Sequence, residues 1–404
     1  MANTNLTSSI ITNESLAVLE NNLTFAKGCN REYDDKFAVA GAKIGTTLNI
    51  RKPARYVGRT GAAIGIEDHT ETQVPLVLDT QFGVDVSFTS QELTLSIDEF
   101  SDRIVKPAMA AIANKIDRDG LTMAYQSTYN AVGTPGSVPA TAAVILAAGA
   151  KMDYEAAPRD KQRSLVIDPL ANASMVDVLK GLFQSSDKIS DQYEEGNMGL
   201  AFGFKWSMDQ NVVSHTVGPL GGTPLVNGVP AQGATTLVTD GWTAAAASRL
   251  KKGDVFTIAG VNAVNPQNRA STGQLRQFVV TADVSSDGSG NATISISPEI
   301  RSTGAFATVA ALPADNAALT ILGAANTVTP ANIAFHKDAF VLGSADLLLP
   351  KGVDMASRSS SKKVGLSVRM VRQYSISADT FPCRFDVLYG YKAVYPELAC
   401  RIQG

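Results

Sequence analysis

Between residues 213 and 327 the chain changes character, and this constrains its fold more than any other feature. Gly, Thr, Val, Ala, Asn and Ser dominate there and basic residues thin out. Short runs recur ("TTLVTD", "DVFTIAGV", "RQFVVTADV", "ATISISPEI", "AALTIL"), separated by turn signals such as "GGTP" and "SSDGSGN". Strands at this spacing predict a sandwich or barrel. In "VVTADVSSDGSGNATISIS" the alternation predicts a hairpin, with Ile294 and Ile296 on one face and Thr293, Ser295 and Ser297 on the other. Mixed helix and strand signals flank the segment on both sides, so it reads as an insertion into a discontinuous parent domain.

The stretch "RLKKGDVFTIAGVNAVNP" (Arg249–Pro266) tests that reading, because lysines beside a glycine also suggest a phosphate loop. A phosphate loop needs glycines between a strand and a helix, with Lys then Ser/Thr after the last Gly. Here the lysines precede Gly253 and a strand follows, so no helix N-terminus is available. Val255 and Thr257 alternate with Phe256 and Ile258 as a half-buried strand does. The stretch is a barrel wall.

Around this segment, 404 residues suffice for two or three domains. Hydrophobic content of 45% with 18% charged residues argues against disorder, and a net charge of −3 does not suggest a nucleic-acid-binding protein. The three cysteines, Cys29, Cys383 and Cys400, fit a reducing cytoplasm better than a disulfide framework. "MANTNLTSSIITNESL" lacks a signal-peptide pattern, and the apolar run "ATAAVILAAGA" is about half a bilayer span, so the chain reads as soluble and made in the cytoplasm.

Residues 1–42 read as an arm whose helix places Leu16, Leu19 and Leu23 on one narrow stripe, with Gly28 as a stop. Such a stripe builds no core alone and is expected to bind something else. Residues 43–95 read as a long hairpin with a Gly-rich tip, "GRTGAAIGI", and segregated charge. Arg51, Lys52, Arg55 and Arg59 lie on the outgoing arm; Glu67, Asp68, Glu71 and Asp79 follow on the return. Residues 96–135 read as a long helix opened by the capping box of Ser96 and Glu99, with Ile97, Phe100, Ile104, Ala108, Ala111 and Ile112 on one face. Pro107 is expected to kink it, and "DRDG" (Asp117–Gly120) either closes or breaks it. Residues 136–212 form a small mixed layer, with "RSLVIDP" as a buried strand and "NASMVDVLKGLF" as a capped helix. Residues 328–404 return to long strands.

Nothing in the sequence reads as an active site. His69, His215 and His336 are far apart and lack metal-ligand spacing. No G-x-S-x-G elbow supports a hydrolase. His336, between Phe335 and Phe340, reads as a packed, hydrogen-bonded histidine. The carboxylates of "IDRDG" and "QYEEGN" read as a solvated helix end and a solvated loop.

The order of parts resembles the major capsid (coat) proteins of tailed double-stranded DNA bacteriophages with the Hong Kong 97-type fold. It is similar in particular to the short-tailed Salmonella phage coat family, which carries an inserted β-barrel. "KKGDVFTIAGV" (Lys251–Val261) with "RQFVVTADV", and "ANIAFHKDAFVL" (Ala331–Leu342), carry the likeness, and "SIITNESLAVLENNL" resembles the family's N-terminal arm. The chain departs from the family at about 262–277, which is shorter and more polar.

The resemblance implies an α+β fold: N-arm, E-loop hairpin, spine helix of a peripheral domain, axial domain, inserted β-barrel and a return to axial and peripheral domains. It implies a non-enzymatic, cofactor-free and metal-free subunit of hexamers and pentamers in an icosahedral head. The hairpin would lie over a neighbouring subunit, making its eight charged residues inter-subunit candidates. Glu14 and Glu20 would be scaffold-docking candidates. Implied partners are a scaffolding protein, the portal, packaged DNA contacted without sequence specificity and a decoration protein, with no membrane; the place is the virion capsid, assembled in the bacterial host cytoplasm. A near-neutral charge suits a wall that must not trap the genome. A β-rich tail or surface adhesin binding glycan is the alternative, and it leaves the charge-split hairpin and spine helix unexplained.

Overall fold

The computed structural model describes residues 8–31, 45–59, 61–62, 64, 66–67, 71–89, 104–179, 199–360 and 365–404. The capping box at Ser96 and Glu99, with Ile97 and Phe100, lies outside these residues, as do Asp68, His69 and "QYEEGN". The chain divides into two compact units: Met1–Ile50, Gln73–Gly120 and Phe340–Val394 form one, and Arg51–Thr72, Leu121–Ala339 and Tyr395–Gly404 the other.

The first unit is organised by the 14-residue strand Thr380–Ala393, which pairs antiparallel with Thr80–Thr89, Phe340–Ser344 and Ser367–Arg372. Residues 80–89, expected in the hairpin, therefore belong to this sheet. The arm helix Ser8–Asn22 packs on Met355–Ser360 and Ser367–Arg372, and its leucine stripe is buried. The expectation that the stripe needs an outside partner is corrected: the chain's own sheet supplies one. Downstream, the rings of Phe25 and Phe340 lie 5.8 Å apart.

Lys106–Ser127 is one uninterrupted helix with Met109, Ile112, Ala113, Ile116 and Ala124 buried at helical spacing, while Ala111 is exposed. Ile104 and Val105 before it are π-helical, so Pro107, where a kink is expected, stands at the change from π to α geometry. The "DRDG" stretch does not end it. Asp117 is buried, not solvated: its carboxylate accepts from Thr24 N–H at 2.6 Å and Ala26 N–H at 2.9 Å, capping the turn Phe25–Gly28.

In the second unit a six-stranded mixed sheet runs in the order Ala131–Val132, Ala399–Ile402, Asn332–His336, Arg163–Ile167, Phe204–Met208, Leu200–Ala201. Helices Ala142–Tyr154 and Pro169–Leu179 contribute Ile145, Ala148, Met152 and Met175 to a core with Leu165, Ile167, Phe204 and Trp206. The second helix starts earlier than Asn172, because Asp168 accepts from Leu170 N–H and Ala171 N–H and Pro169 suits the first turn.

The ribbon Ser214–Thr216 with Val328–Pro330 leads into the inserted segment. Its six strands run in the order Leu319–Ile321, Val255–Val264, Ser271–Val280, Ala292–Ile300, Ala234–Asp240, Leu225–Val226, every neighbour antiparallel. Leu225 bridges Ala318, Val226 N–H donates to Ala317 C=O at 2.9 Å and Leu319 N–H to Pro224 C=O at 3.0 Å, closing the sheet into a barrel. Inside lie Phe256 and Phe278, with centroids 5.7 Å apart, together with Trp242, Ile258, Val280, Ile294 and Ile296. The anticipated hairpin pairs at Val279–Ser297 and Val280–Ile296 and continues through Thr281 N–H donating to Ser295 C=O at 2.9 Å, after which Val284–Ser286 pairs instead with Ala247–Leu250.

Candidate assembly surfaces

The wall strand Val255–Val264 alternates less cleanly than its sequence because both faces are covered at its start. Phe256 and Ile258 face the barrel core, whereas Val255 and Val279 pack on Tyr129 and Ala131 of the parent fold. Next to them Gln277 behaves as a strand segment, accepting from Ala131 N–H and donating to Ala131 C=O, both at 2.9 Å. Arg276 and Glu155 form a buried ion pair at 2.5 Å, with the guanidinium 4.4 Å over the Tyr129 ring. Burial pushes the Glu155 carboxyl above the usual range while Arg276 opposes it. Arg401, also buried, donates to Gly253 C=O at 2.6 Å and lies 5.7 Å over Tyr125. His215 meets the buried Asp254 at 2.8 Å, and His336 meets both oxygens of Asp160 at 3.2 Å. These histidines are structural partners.

The hairpin charges fall into two groups. Arg51 on the outgoing arm faces Glu71 on the return arm at 3.8 Å, both exposed. Glu67 accepts from Val57 N–H at 2.7 Å and Gly58 N–H at 2.6 Å, pinning the two arms together, and Arg59 donates to Gly61 C=O. Asp79 accepts from the Thr80 hydroxyl at 3.0 Å. Lys52 and Arg55 instead reach the body of their own unit. The Lys52 ammonium sits 4.8 Å over the Tyr395 ring, where burial lowers its pKa against the pull of Glu397, with Arg55 lowering it further. Arg55 pairs with Glu397 at 3.0 Å and lies 5.7 Å from the Phe306 centroid. Sequence reasoning missed Glu397, Tyr395 and Phe306, which lie hundreds of residues away with no local motif. Glu14 and Glu20 are half-buried on the arm helix.

The exposed large apolar residues include Ile64 and Ile66 of the hairpin tip, 86% and 92% exposed. Among the described residues no three His, Cys, Asp or Glu side chains gather as metal ligands, and no helix is long and apolar enough to cross a membrane.

The described residues thus hold a closed antiparallel insertion, an arm helix packed on a sheet and a hairpin with charges of both signs. A family model described as "P22 coat protein - gene protein 5" matches residues 1–404, and the chain belongs to the P22 coat protein family. It is a major capsid protein whose copies assemble into a phage capsid shell, and not an enzyme. Among solved structures it is similar to one from Mycobacterium phage Che8 (13% identity, 94% of this chain and 90% of that one, TM-score 0.47). It is also similar to the capsid structure of the Cyanophage P-SCSP1u (10% identity, 94% and 88%, TM-score 0.43). A third similarity is to the CUS-3 coat protein I-domain (29% identity, 26% of this chain and 98% of that one, TM-score 0.19). Comparison with curated proteins returned no match. Nothing favours the glycan-binding adhesin.

Proposed function

We propose that this chain forms the hexamers and pentamers of an icosahedral head around double-stranded DNA, with the hairpin engaging the adjacent subunit. The observation that supports this most is the exposed tip at Ile64 and Ile66 on a hairpin carrying charges of both signs, within a chain of coat-protein family. In this reading Arg51, Arg59, Glu67, Asp68, Glu71 and Asp79 act across subunits, where small contacts repeat around a closed shell. Lys52 and Arg55 contribute through their own-chain seat. Glu14 and Glu20 offer acidic docking for a basic scaffolding segment, and portal, decoration protein and DNA complete the particle, which assembles in the host cytoplasm. The barrel at 213–327 is the inserted domain of this plan.

The test is electron microscopy of the protein expressed alone and with its scaffolding partner, beside the double variant Arg51→Glu, Arg59→Glu. Wild type is expected to form closed shells; the variant should melt within about 1 °C of wild type, as exposed pairs contribute little, yet need more protein to form shells that dissolve in salt. Wild type remaining monomeric under all conditions would remove the coat reading. A variant that melts lower but assembles normally would remove the inter-subunit role of the charges.

A further inference from the structure

The outgoing arm of the hairpin is held by two parts of the chain that are remote in sequence. From the C-terminal turn, Tyr395 takes the Lys52 ammonium on its ring and Glu397 pairs with Arg55. From the barrel, Phe306 lies against the same Arg55 guanidinium, and Arg269 donates to Tyr56 C=O. Two cavities, about 210 and about 410 Å³, share Lys52, Arg55, Thr308 and Glu397 in their walls. This seat is made of side-chain tips, not of a filled core. Beyond it, the Glu67 carboxylate ties Val57 and Gly58 to the return arm, so the tip carrying Ile64 and Ile66 is short and internally pinned.

We infer that residues 52–56, gripped by Tyr395 and Glu397 on one hand and by Phe306 and Arg269 on the other, form an own-chain clamp that pre-orients the hairpin tip for a second copy of the chain. The clamp deepens the coat-protein reading and rests on it. A hairpin fixed at its root searches less space before its tip meets a partner, so part of the ordering cost is met before association. The inserted barrel thereby gains a role in assembly inside its own subunit.

The experiment uses the full-length subunit and the variants Arg55→Gln, Glu397→Gln and both together. Quenched-flow hydrogen exchange reads residues 53–67 and, as a folding control, the barrel strands; light scattering reads the rate of shell formation. Each single variant is expected to raise exchange in 53–67 about two- to fivefold, the population change a partly exposed ion pair supports. The double variant should match Arg55→Gln, because once Arg55 is gone Glu397 has no clamp partner left to lose. Barrel exchange should not change, and shell formation should slow by a comparable factor. Unchanged exchange at 53–67, additive effects in the double variant, or faster exchange with shells forming at or above the wild-type rate would each overturn the clamp. Wild type forming no shells counts against the coat reading, while the exchange comparison still decides the clamp.

Discussion

Cys29, Cys383 and Cys400 are free and buried. Burial pushes Cys383 up to about 11 despite Arg372, and Cys400 up to about 12 despite Lys151; Cys29 is raised as well, by burial and then Asp117. A thiol reacts as thiolate, and each unit of raised pKa lowers that fraction about tenfold well below the pKa. All three should resist alkylation at pH 8 in the folded subunit and react together on unfolding, as mass spectrometry of iodoacetamide-treated protein would show; a thiol modified in native protein would contradict its burial. The sign for stability follows from the same shifts. A thiol raised in the fold favours the protonated, folded form, so its contribution is complete below the unfolded value of about 8.5 and is lost as pH climbs toward 11 and 12.

At the scale of elements, Gly120 explains how one helix spans a motif that reads as a stop. A Cβ there would lie 2.7 Å from two ring carbons of Phe25 and 2.8 Å from Cζ of Tyr391. The residue is glycine because two rings close on the helix, not because the helix ends. Gly120→Ala gains about 1 kcal/mol of helix propensity but overpacks a site where such insertions cost about 1–3 kcal/mol. A net loss of about 1 kcal/mol, or a few degrees in Tm, is expected by thermal melting; a rise in Tm would show that the rings yield freely. Local periodicity made much legible: the strand at 292–300 reads from Ile294 and Ile296, and the arm helix from its leucines. Partners were not legible. Nothing near Asp117 announces that it caps a turn 91 residues earlier, and nothing near Arg55 announces Glu397, 342 residues on. Sequence spacing identifies faces; which surface covers a face depends on the whole topology.

On the scale of the molecule, the insertion is both self-contained and wired to its host, and the two properties separate experimentally. Closure through Leu225 and Ala318 and a core of Phe256, Ile258, Phe278 and Ile294 lie within the segment. Fragment 213–327 should therefore fold alone, with β-type circular dichroism and a cooperative melt reported by Trp242 fluorescence. The wiring runs through Arg276, whose partners Glu155 and Tyr129 lie outside the fragment. In the whole subunit, Arg276→Gln strands a buried carboxylate, and breaking such a pair costs about 3–5 kcal/mol. In the fragment the same side chain has lost its partners to water, and the substitution should stay within about 0.5 kcal/mol. Urea unfolding of wild type and variant in both contexts decides it. A fragment that never folds would show that the barrel needs its host for more than this seam. An equal loss in both contexts would mean that Arg276 supports the barrel itself and that the ion pair to Glu155 contributes nothing to holding the insertion in place.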